Sequence, residues 1–516
     1  MPSQFRNEPF TDFSKPENKK MMEEALQKVS SELGSEYPLV IDGKKITCGG
    51  KIGSTNPNRK KETVGVAQKG TKQNAMDAMA AAWKTFETWK HESFEKRADY
   101  LFKIAARMRE RKFELAAWMV YEVGKSWAEA DGDVAEAIDF CDFYGREALK
   151  FSKPHACLPW PGETNELVYI PLGVGVVIPP WNFPLAILVG MTTAAVVTGN
   201  TVVLKPASDS PVIAAKFMEV CEETGLPPGV INFVTGPGGD VGETLVSHPQ
   251  TRFISSTGSR EVGLHIVEEA GKTRDGQKWV KRVAAEMGGK DAILVDSEAD
   301  IDAAVEATAA SAFGFQGQKC SACSRAIVDE KIYDSFVEKL KGRVAKIKVG
   351  DVKDPSNYMG AVSSERAFKT ICDYIEVGKK EGRLVCGGES SDAEGYFIQP
   401  TVFADIPPTA RLAQEEVFGP VLAIIKSKDF EDGLRIFNNT DYGLTGGVFT
   451  KNKEKIARAR RDCFCGNFYV NRKITGALVG VQPFGGYNMS GTCSKAGGND
   501  YLLLFLQGKA ICEKIL

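Results

Sequence analysis

With 516 residues, 43% of them hydrophobic and 26% charged, the chain is long enough to need two or more lobes rather than one simple core. A formal net charge of -2 gives no basis for holding nucleic acid or an anionic membrane surface, and no apolar run approaches the roughly 20 residues of a membrane span. Twelve cysteines are too sparse for an extracellular disulfide scaffold, and the opening MPSQFRNEPFTDFSKPENKK lacks both the apolar core of a secretion signal and the acid-poor composition of a transit peptide, so a reduced, cytoplasmic protein is expected.

Residues 18–34 and 72–150 read as amphipathic helix, with apolar residues three and four apart in ADYLFKIAARMRERKFELAAWMVYEVGKSW. The stretch FSKPHACLPWPGETNELVYI, 151–170, breaks that texture with three prolines and polar alternation, and predicts a protruding hairpin. LVYIPLGVGVVIPP follows as a β-branched run, then LAILVGMTTAAVVTGN as an apolar helix. TVVLKP, GVINFV and RFISST read as strands. SPVIAAKFMEVCEETG, with Ser210 as its cap, GDVGETLVSH and SREVGLHIVEEAG read as helices. Strands alternating with helices predict a parallel α/β sheet with right-handed crossovers. A second alternating block runs from about Asp291 to Tyr469, with AILVD, SRAIVD, FIQPTVFAD, VLAIIKS and GGVFT as its strands. The expected architecture is α/β, two parallel-sheet lobes with a cleft between them. No internal repeat is visible.

Three features sit at successive strand ends of the first block. TGPGGDVG, 235–242, is an imperfect phosphate-binding turn; STGS, 256–259, offers backbone N–H groups and a hydroxyl; Lys205 ends TVVLKP. Each is compatible with an ordinary turn or a solvated lysine, and the three together with a nucleotide.

GFQGQKCSACSR, 314–325, holds Cys320 and Cys323. A metal site is disfavoured, because the only other close pair, Cys463 and Cys465, is spaced too tightly and the four histidines are scattered. A redox pair would open a helix after a strand, and this one precedes a strand. Cys323 is expected to be an inert buried thiol. Cys320, among glycines and beside a lysine, is expected to be a nucleophile held partly as thiolate. With no histidine in a suggestive setting, its base is sought among carboxylates. Glu286 in AAEMGGKD is a candidate with a raised pKa, the alternative being a surface carboxylate at a strand end.

IPPWNFP (178–184), KPAS (205–208), STGS, EMGGK (286–290), GQKC (317–320), EEVFGP (415–420) and PFGG (483–486) occur in one order, with Cys320 34 residues after Glu286. In this the chain resembles the NAD(P)-dependent aldehyde dehydrogenase superfamily over nearly its whole length. The resemblance implies two Rossmann-like lobes and a small β oligomerisation arm. Residues 1–150 and 171–286 would bind NAD(P), 287–487 would form the catalytic domain, and 151–170 with 488–516 the arm.

It also implies roles. Cys320 would attack an aldehyde, its oxyanion held by the Asn182 side chain and the Cys320 N–H, and Glu286 would activate water against the resulting thioester. Lys205 is implied at the adenosine ribose, Ser259 at the pyrophosphate, Glu416 and Phe418 at the nicotinamide ribose and ring. Ile178, Pro180, Trp181, Ser208, Gly238, Gly242, Thr257, Gly258 and Met287 would complete the cofactor cleft. GFQGQKCSACSR, TGALVGVQPFGG (475–486), SGTCSKAGG and the opening EPFTDFS resemble the branch that oxidises L-glutamate γ-semialdehyde, in equilibrium with 1-pyrroline-5-carboxylate, to L-glutamate in proline catabolism. Phe183 and Phe484 would then box the aliphatic chain, and Ser321, Gly476 and Ala477 would take the α-carboxylate. Another small semialdehyde is the alternative substrate; an ester-cleaving hydrolase and a catalytically retired binding protein are the other classes.

Two residues depart from the pattern. Ser208 replaces a glutamate that contacts the adenosine 2′-hydroxyl in many relatives, which leaves NADP admissible beside NAD. Ser256 replaces a usual phenylalanine beneath the cofactor. A homodimer or larger homo-oligomer is expected, as is a functional link to proline dehydrogenase, with no metal.

Overall fold

The computed structural model describes residues 4–492 and 494–515. Its first sheet contains Leu39–Ile41 (β1), Lys44–Ile46 (β2), Val174–Ile178 (β3), Thr201–Leu204 (β4), Ile231–Phe233 (β5), Phe253–Thr257 (β6) and Arg282–Glu286 (β7). Their spatial order is β7-β6-β3-β4-β5-β1-β2. The five strands from β7 to β5 are parallel, and β1 and β2 run antiparallel at one edge. The chain moves outward from β3 through β4 to β5, then returns to the other side of β3 with β6. The crevice at the carboxyl end of β3 is therefore the switch point where α/β sheets take ligands.

Register aligns the residues at that edge. Ile178 pairs with Ser256, Thr257 pairs with Glu286, and Lys205 follows Leu204, the partner of Val177. β3 and β4 are fully or nearly buried, as parallel strands covered by helices on both faces must be. One such helix, Ala186–Val197, is apolar all round and has no side-chain cap of its own. Its Ala186 N–H is accepted by Asp133 at 2.6 Å, and Asp133 also accepts from the fully buried Lys125 at 2.8 Å.

The second sheet contains Asp291–Val295 (β8), Cys323–Asp329 (β9), Arg383–Cys386 (β10), Thr401–Ala404 (β11), Val421–Ser427 (β12), Thr445–Phe449 (β13) and Asn467–Val470 (β14), ordered β10-β11-β12-β9-β8-β13-β14. All neighbours are parallel except β10 with β11. Cys320 lies three residues before β9, so the thiol stands at the amino edge of this sheet. A third unit is a three-stranded antiparallel sheet in which Glu163–Pro171 lies between His155–Ala156 and Leu506–Lys514. Leu158 and Trp160 at its tip are strongly exposed.

Several local expectations change. LVYIPLGVGVVIPP is two strands, divided at Leu172 and Gly173, where the glycine takes φ 143°. FIQPTVFAD also divides, into Phe397–Ile398 and β11, because Pro400 lacks the N–H that a continuous ladder needs. The Ser210 side chain does not cap helix Pro211–Glu223. Buried Glu122 takes that role instead, accepting the N–H groups of Val212 and Ile213 at 2.8 Å each. A carboxylate at a helix N-terminus satisfies two orphan donors and meets the positive end of the dipole.

Candidate active site

The nucleophile loop begins where helix Ile301–Phe313, capped by Asp300, runs out at Gly314. Phe315, Gln316 and Gly317 then adopt left-handed backbone at φ 48°, 58° and 68°. At Gly317 a Cβ would come 2.3 Å from the Gly419 carbonyl oxygen, so only glycine fits. The strained turn is over-determined by its surroundings. Gln316 donates through Nε2 to the carbonyls of Gly124 (3.0 Å) and Ala361 (2.9 Å), and the Gln318 side chain accepts from Ser363 N–H at 2.8 Å. Asn182, just past the carboxyl end of β3 and 4% exposed, donates Nδ2 to the Gln318 carbonyl at 3.0 Å. The amide expected in the oxyanion pocket thus rests against the loop that carries the thiol.

The Cys320 thiol differs from expectation in one respect. Burial and the negative field of Asp291, Glu416 and Glu286 push its pKa up, with the Ser321 N–H as the counteracting hydrogen bond. The neighbouring cation does not serve it, since Lys319 Nζ turns away to Glu129 at 2.7 Å. The resting group is therefore a thiol, and its attack needs a proton acceptor. Cys323 is buried in β9, with its Sγ on the Arg325 carbonyl, as expected of an inert thiol.

Glu286 ends β7. Burial raises its carboxyl to about 8, against the lowering effect of two hydrogen bonds and Lys495. Those bonds come from Ser494 Oγ to Oε1 at 2.5 Å and from the Gly486 N–H to Oε2 at 3.1 Å. The seat is shaped by missing side chains. A Cβ on Gly491 would sit 3.0 Å from both carboxylate oxygens, and one on Gly485 would lie 1.6 Å from the Ser494 carbonyl.

A cavity of about 390 Å³ joins these groups. Its lining includes Cys320, Ser321, Glu286, Phe183, Phe484, Gly476, Ala477, Thr257 and Met287. Cys320 and Glu286 therefore open onto the same space as both predicted aromatic walls and the predicted carboxylate anchor. Glu129, Glu136, Lys319 and Lys473 line it too, a set of charges that sequence reasoning missed. Ser494 was missed as well, and its contact with Glu286 spans 208 residues, beyond any local signal.

The remaining predicted residues lie along the switch-point edge of the first sheet. Ile178 ends β3, with Pro180 and Trp181 following, and Lys205 follows β4. Gly238 and Gly242 bound a one-turn π-helix after β5, and the Cε of Lys205 is 3.7 Å from where a Gly242 Cβ would stand. Gly258 follows β6, and Ser259 caps helix Arg260–Gly271, its Oγ accepting the Val262 N–H at 3.3 Å. Ser208 is exposed. From the second lobe, Phe418 meets Trp181 edge-on at 5.6 Å, and Glu416 accepts the Gly289 N–H at 2.9 Å.

This edge fits a dinucleotide. Lys205 is 6% exposed, and one acceptor, the Pro206 carbonyl at 3.2 Å, faces its three N–H donors. Gly238, Gly239 and Gly258 leave open space where side chains would project, so a phosphate can approach the backbone closely. Among the described residues no group of histidine, cysteine and carboxylate side chains is placed to hold a metal ion, and no helix is long and apolar enough to cross a membrane.

Comparison with known proteins agrees with this geometry. The aldehyde dehydrogenase family profile matches residues 46–511. The chain is similar to 1-pyrroline-5-carboxylate dehydrogenase of Geobacillus sp. (strain WCH70), 55% identical over 509 residues that cover 99% of each chain. Among solved structures it is similar to Thermus 1-pyrroline-5-carboxylate dehydrogenase with bound NAD, at TM-score 0.98, 51% identity and 99% coverage of both chains. Proline utilization A from Bdellovibrio bacteriovorus matches at TM-score 0.98 and 44% identity, all of this chain covering 54% of that one. This chain belongs to the aldehyde dehydrogenase family.

Proposed function

We propose that the protein is an NAD-dependent dehydrogenase that oxidises L-glutamate γ-semialdehyde, the open form of 1-pyrroline-5-carboxylate, to L-glutamate. The observation that carries the reading is that one cavity brings the site's groups together. It has a thiol and a raised-pKa carboxyl on its wall, aromatic rings at Phe183 and Phe484, and an anchor at Ser321, Gly476 and Ala477.

Cys320 attacks the aldehyde carbon and gives up its thiol proton, with Glu286, a carboxyl lining the same cavity, as acceptor. The oxygen of the resulting thiohemiacetal is held by the Asn182 side-chain amide and the Cys320 N–H, donors that gain most once the negative charge exists. A bound nicotinamide dinucleotide supplies the acceptor for the hydride leaving the carbon. After the thiol proton passes to solvent, Glu286 takes a proton from water, whose oxygen attacks the thioester carbon and expels the Cys320 sulfur as a thiolate that regains a proton, releasing L-glutamate. Above about pH 8 most Glu286 is ionised and ready as a base; below it, protonation withholds that role. Ser321 offers a hydroxyl, and Gly476 with Ala477 offer backbone N–H groups, to the α-carboxylate. Gly476 holds φ 76°, a conformation that costs glycine little.

For the cofactor, Lys205 and Glu416 are the groups for ribose hydroxyls, the Gly258–Ser259 turn for phosphate, and Trp181 with Phe418 for the ring. Ser208 brings no negative charge to repel a 2′-phosphate, so NADP is accepted more weakly rather than excluded. We assign residues 1–150 and 171–286 to cofactor binding, 287–487 to catalysis, and 151–170 with 488–516 to an assembly arm. Exposed Leu158, Trp160 and Ile515 on that arm support a homo-oligomer built through it. The eleven described cysteines form no disulfide, which supports the cytoplasm as its compartment. The occurrence of this fold as about half of proline utilization A supports a functional link with proline dehydrogenase.

The test is NADH formation from the semialdehyde, succinate semialdehyde and propanal, with NAD and NADP side by side. A kcat/KM for the first at least about 100-fold above propanal is expected, since an anchored carboxylate contributes about 3 kcal/mol. Equal values for all three would overturn the assignment of substrate.

A further inference from the structure

The opening EPFTDFS takes no part in the mechanism above, yet it lies against the cavity. Phe10 and Thr11 belong to the cavity lining, on the side formed by helix Trp127–Ala148 and the loop 475–480. The segment is fixed at two points of that helix. Asn7 Nδ2 and the Glu8 N–H donate to Asp139 at 2.7 and 2.6 Å; the Thr11 N–H and hydroxyl donate to Asp131 at 2.8 and 2.5 Å. Asp131 and Asp139 are both buried.

The spacing matches. Eight helical residues advance about 12 Å, and the three to four extended residues from Glu8 to Thr11 span about 10–13 Å. A buried carboxylate needs donors, and here much of the supply comes from the N-terminal segment, with Lys112 closing the rest: its Nζ is 3.0 Å from Asp131 and donates to the Pro9 carbonyl at 2.9 Å.

The same segment reaches the anchor loop. Asn7 Nδ2 also donates to the Val479 carbonyl at 2.9 Å, two residues beyond Ala477. Phe5 stacks edge-on against Phe143 at 5.2 Å, and its ring is 3.2 Å from where a Gly480 Cβ would stand. One amide thus ties together the helix that lines the cavity and the loop whose N–H groups face the substrate carboxylate.

We propose that residues 5–11 form a strap belonging to the substrate site, in which Asn7 is a positioning residue that holds the 475–480 loop in its carboxylate-binding conformation while Phe10 walls the cavity mouth. This inference rests on the proposed assignment of Gly476 and Ala477 as the anchor. It makes the amino terminus a determinant of substrate choice, acting only on substrates with a carboxylate to hold.

Steady-state kinetics of the full-length enzyme with NAD test it, comparing Asn7→Ala with the unaltered chain on L-glutamate γ-semialdehyde and on propanal. The expected result is a KM for the semialdehyde raised about tenfold, a kcat within twofold, propanal kinetics moved by less than twofold, and weaker competitive inhibition by L-glutamate to match. Thr11→Val, which releases one bond at the other end of the strap, moves the same ratio about threefold and serves if Asn7→Ala fails to fold. An equal loss on both aldehydes marks a purely structural role and overturns the inference, as does no loss on either. An unaltered enzyme with no preference for the semialdehyde overturns the substrate reading and the inference together. A preference that survives intact in both variants overturns the inference alone.

Discussion

Ser494→Ala isolates the base from everything else in the site. In the structure Ser494 Oγ donates to Glu286 at 2.5 Å, a bond that favours the ionised carboxylate, while the Gly486 N–H continues to hold the other oxygen. A hydrogen bond to a charged group contributes about 1.5 kcal/mol or more, and 1.36 kcal/mol corresponds to one pKa unit, so Glu286 should rise by about one unit. Starting from about 8, it would then titrate near 9. At pH 7.5 the ionised fraction falls from about 0.24 to about 0.03, so hydrolysis of the thioester slows about eightfold. The variant approaches the unaltered rate near pH 10, where both carboxyls are ionised. The assay is a pH series of L-glutamate release by rapid quench beside the first-turnover yield of NADH. The acid limb of release should shift upward by about one unit, while the first-turnover yield of NADH is retained and forms more slowly, because the same carboxylate accepts the Cys320 proton. An acid limb that stays in place, or moves to lower pH, would refute the role of Ser494 in setting the base.

Cys320→Ala should abolish oxidation to below about one part in a thousand, whereas Cys323→Ala keeps most of it and costs about 1 kcal/mol in chemical denaturation, because its buried Sγ meets backbone groups and apolar core rather than another functional side chain. Lys205 is pushed down to about 8 by burial, so it sheds its proton as pH rises through that value. If Lys205 donates to the ribose as proposed, those bonds are strongest below pH 8, and calorimetry should show NAD affinity weakening about fivefold between pH 7 and 9.5, a dependence absent in Lys205→Met. Lys125→Met leaves Asp133 buried without its cation and strips the Phe183 and Phe315 faces of the Nζ lying 4.0 and 4.6 Å from their centroids. Denaturant titration should record a loss of about 3–5 kcal/mol.

The parts legible in sequence are those fixed by neighbours along the chain. β3, β4, β5 and β6 follow from β-branched runs between glycine turns, and Cys320 stands out because glycine and small polar residues surround it. What escaped depends on distance. Glu122 caps a helix that starts 89 residues later, and its sequence setting gives no sign of that distant role. Lys319 looked like a cation for the thiol, yet its partner Glu129 is 190 residues away, and the strong short bond decides its direction. The segments 151–170 and 488–516 fall into one arm only through the family resemblance, and the strand pairing of Leu506–Lys514 with Glu163–Pro171, more than 300 residues apart, has no local signal. The short strands β1, β2 and β10, at or next to a sheet edge, carry too few residues for a periodicity to register.

The crowding around the glycines has a bearing on how this enzyme tolerates change. Besides Gly485 and Gly491 at Glu286, Gly288 would place a methyl 2.0 Å from the Glu416 carboxylate. Three ionisable contacts therefore depend on hydrogen atoms where every other amino acid has carbon. In a saturation library Gly485, hard against the Ser494 carbonyl, should behave as an all-or-nothing position with alanine as damaging as tryptophan, while Gly491, and Gly288 beside the movable end of Glu416, should bear alanine better than larger residues. The polar residues they support would accept isosteric replacement more gracefully. Attempts to broaden the substrate range are better directed at the cavity walls than at this glycine scaffold.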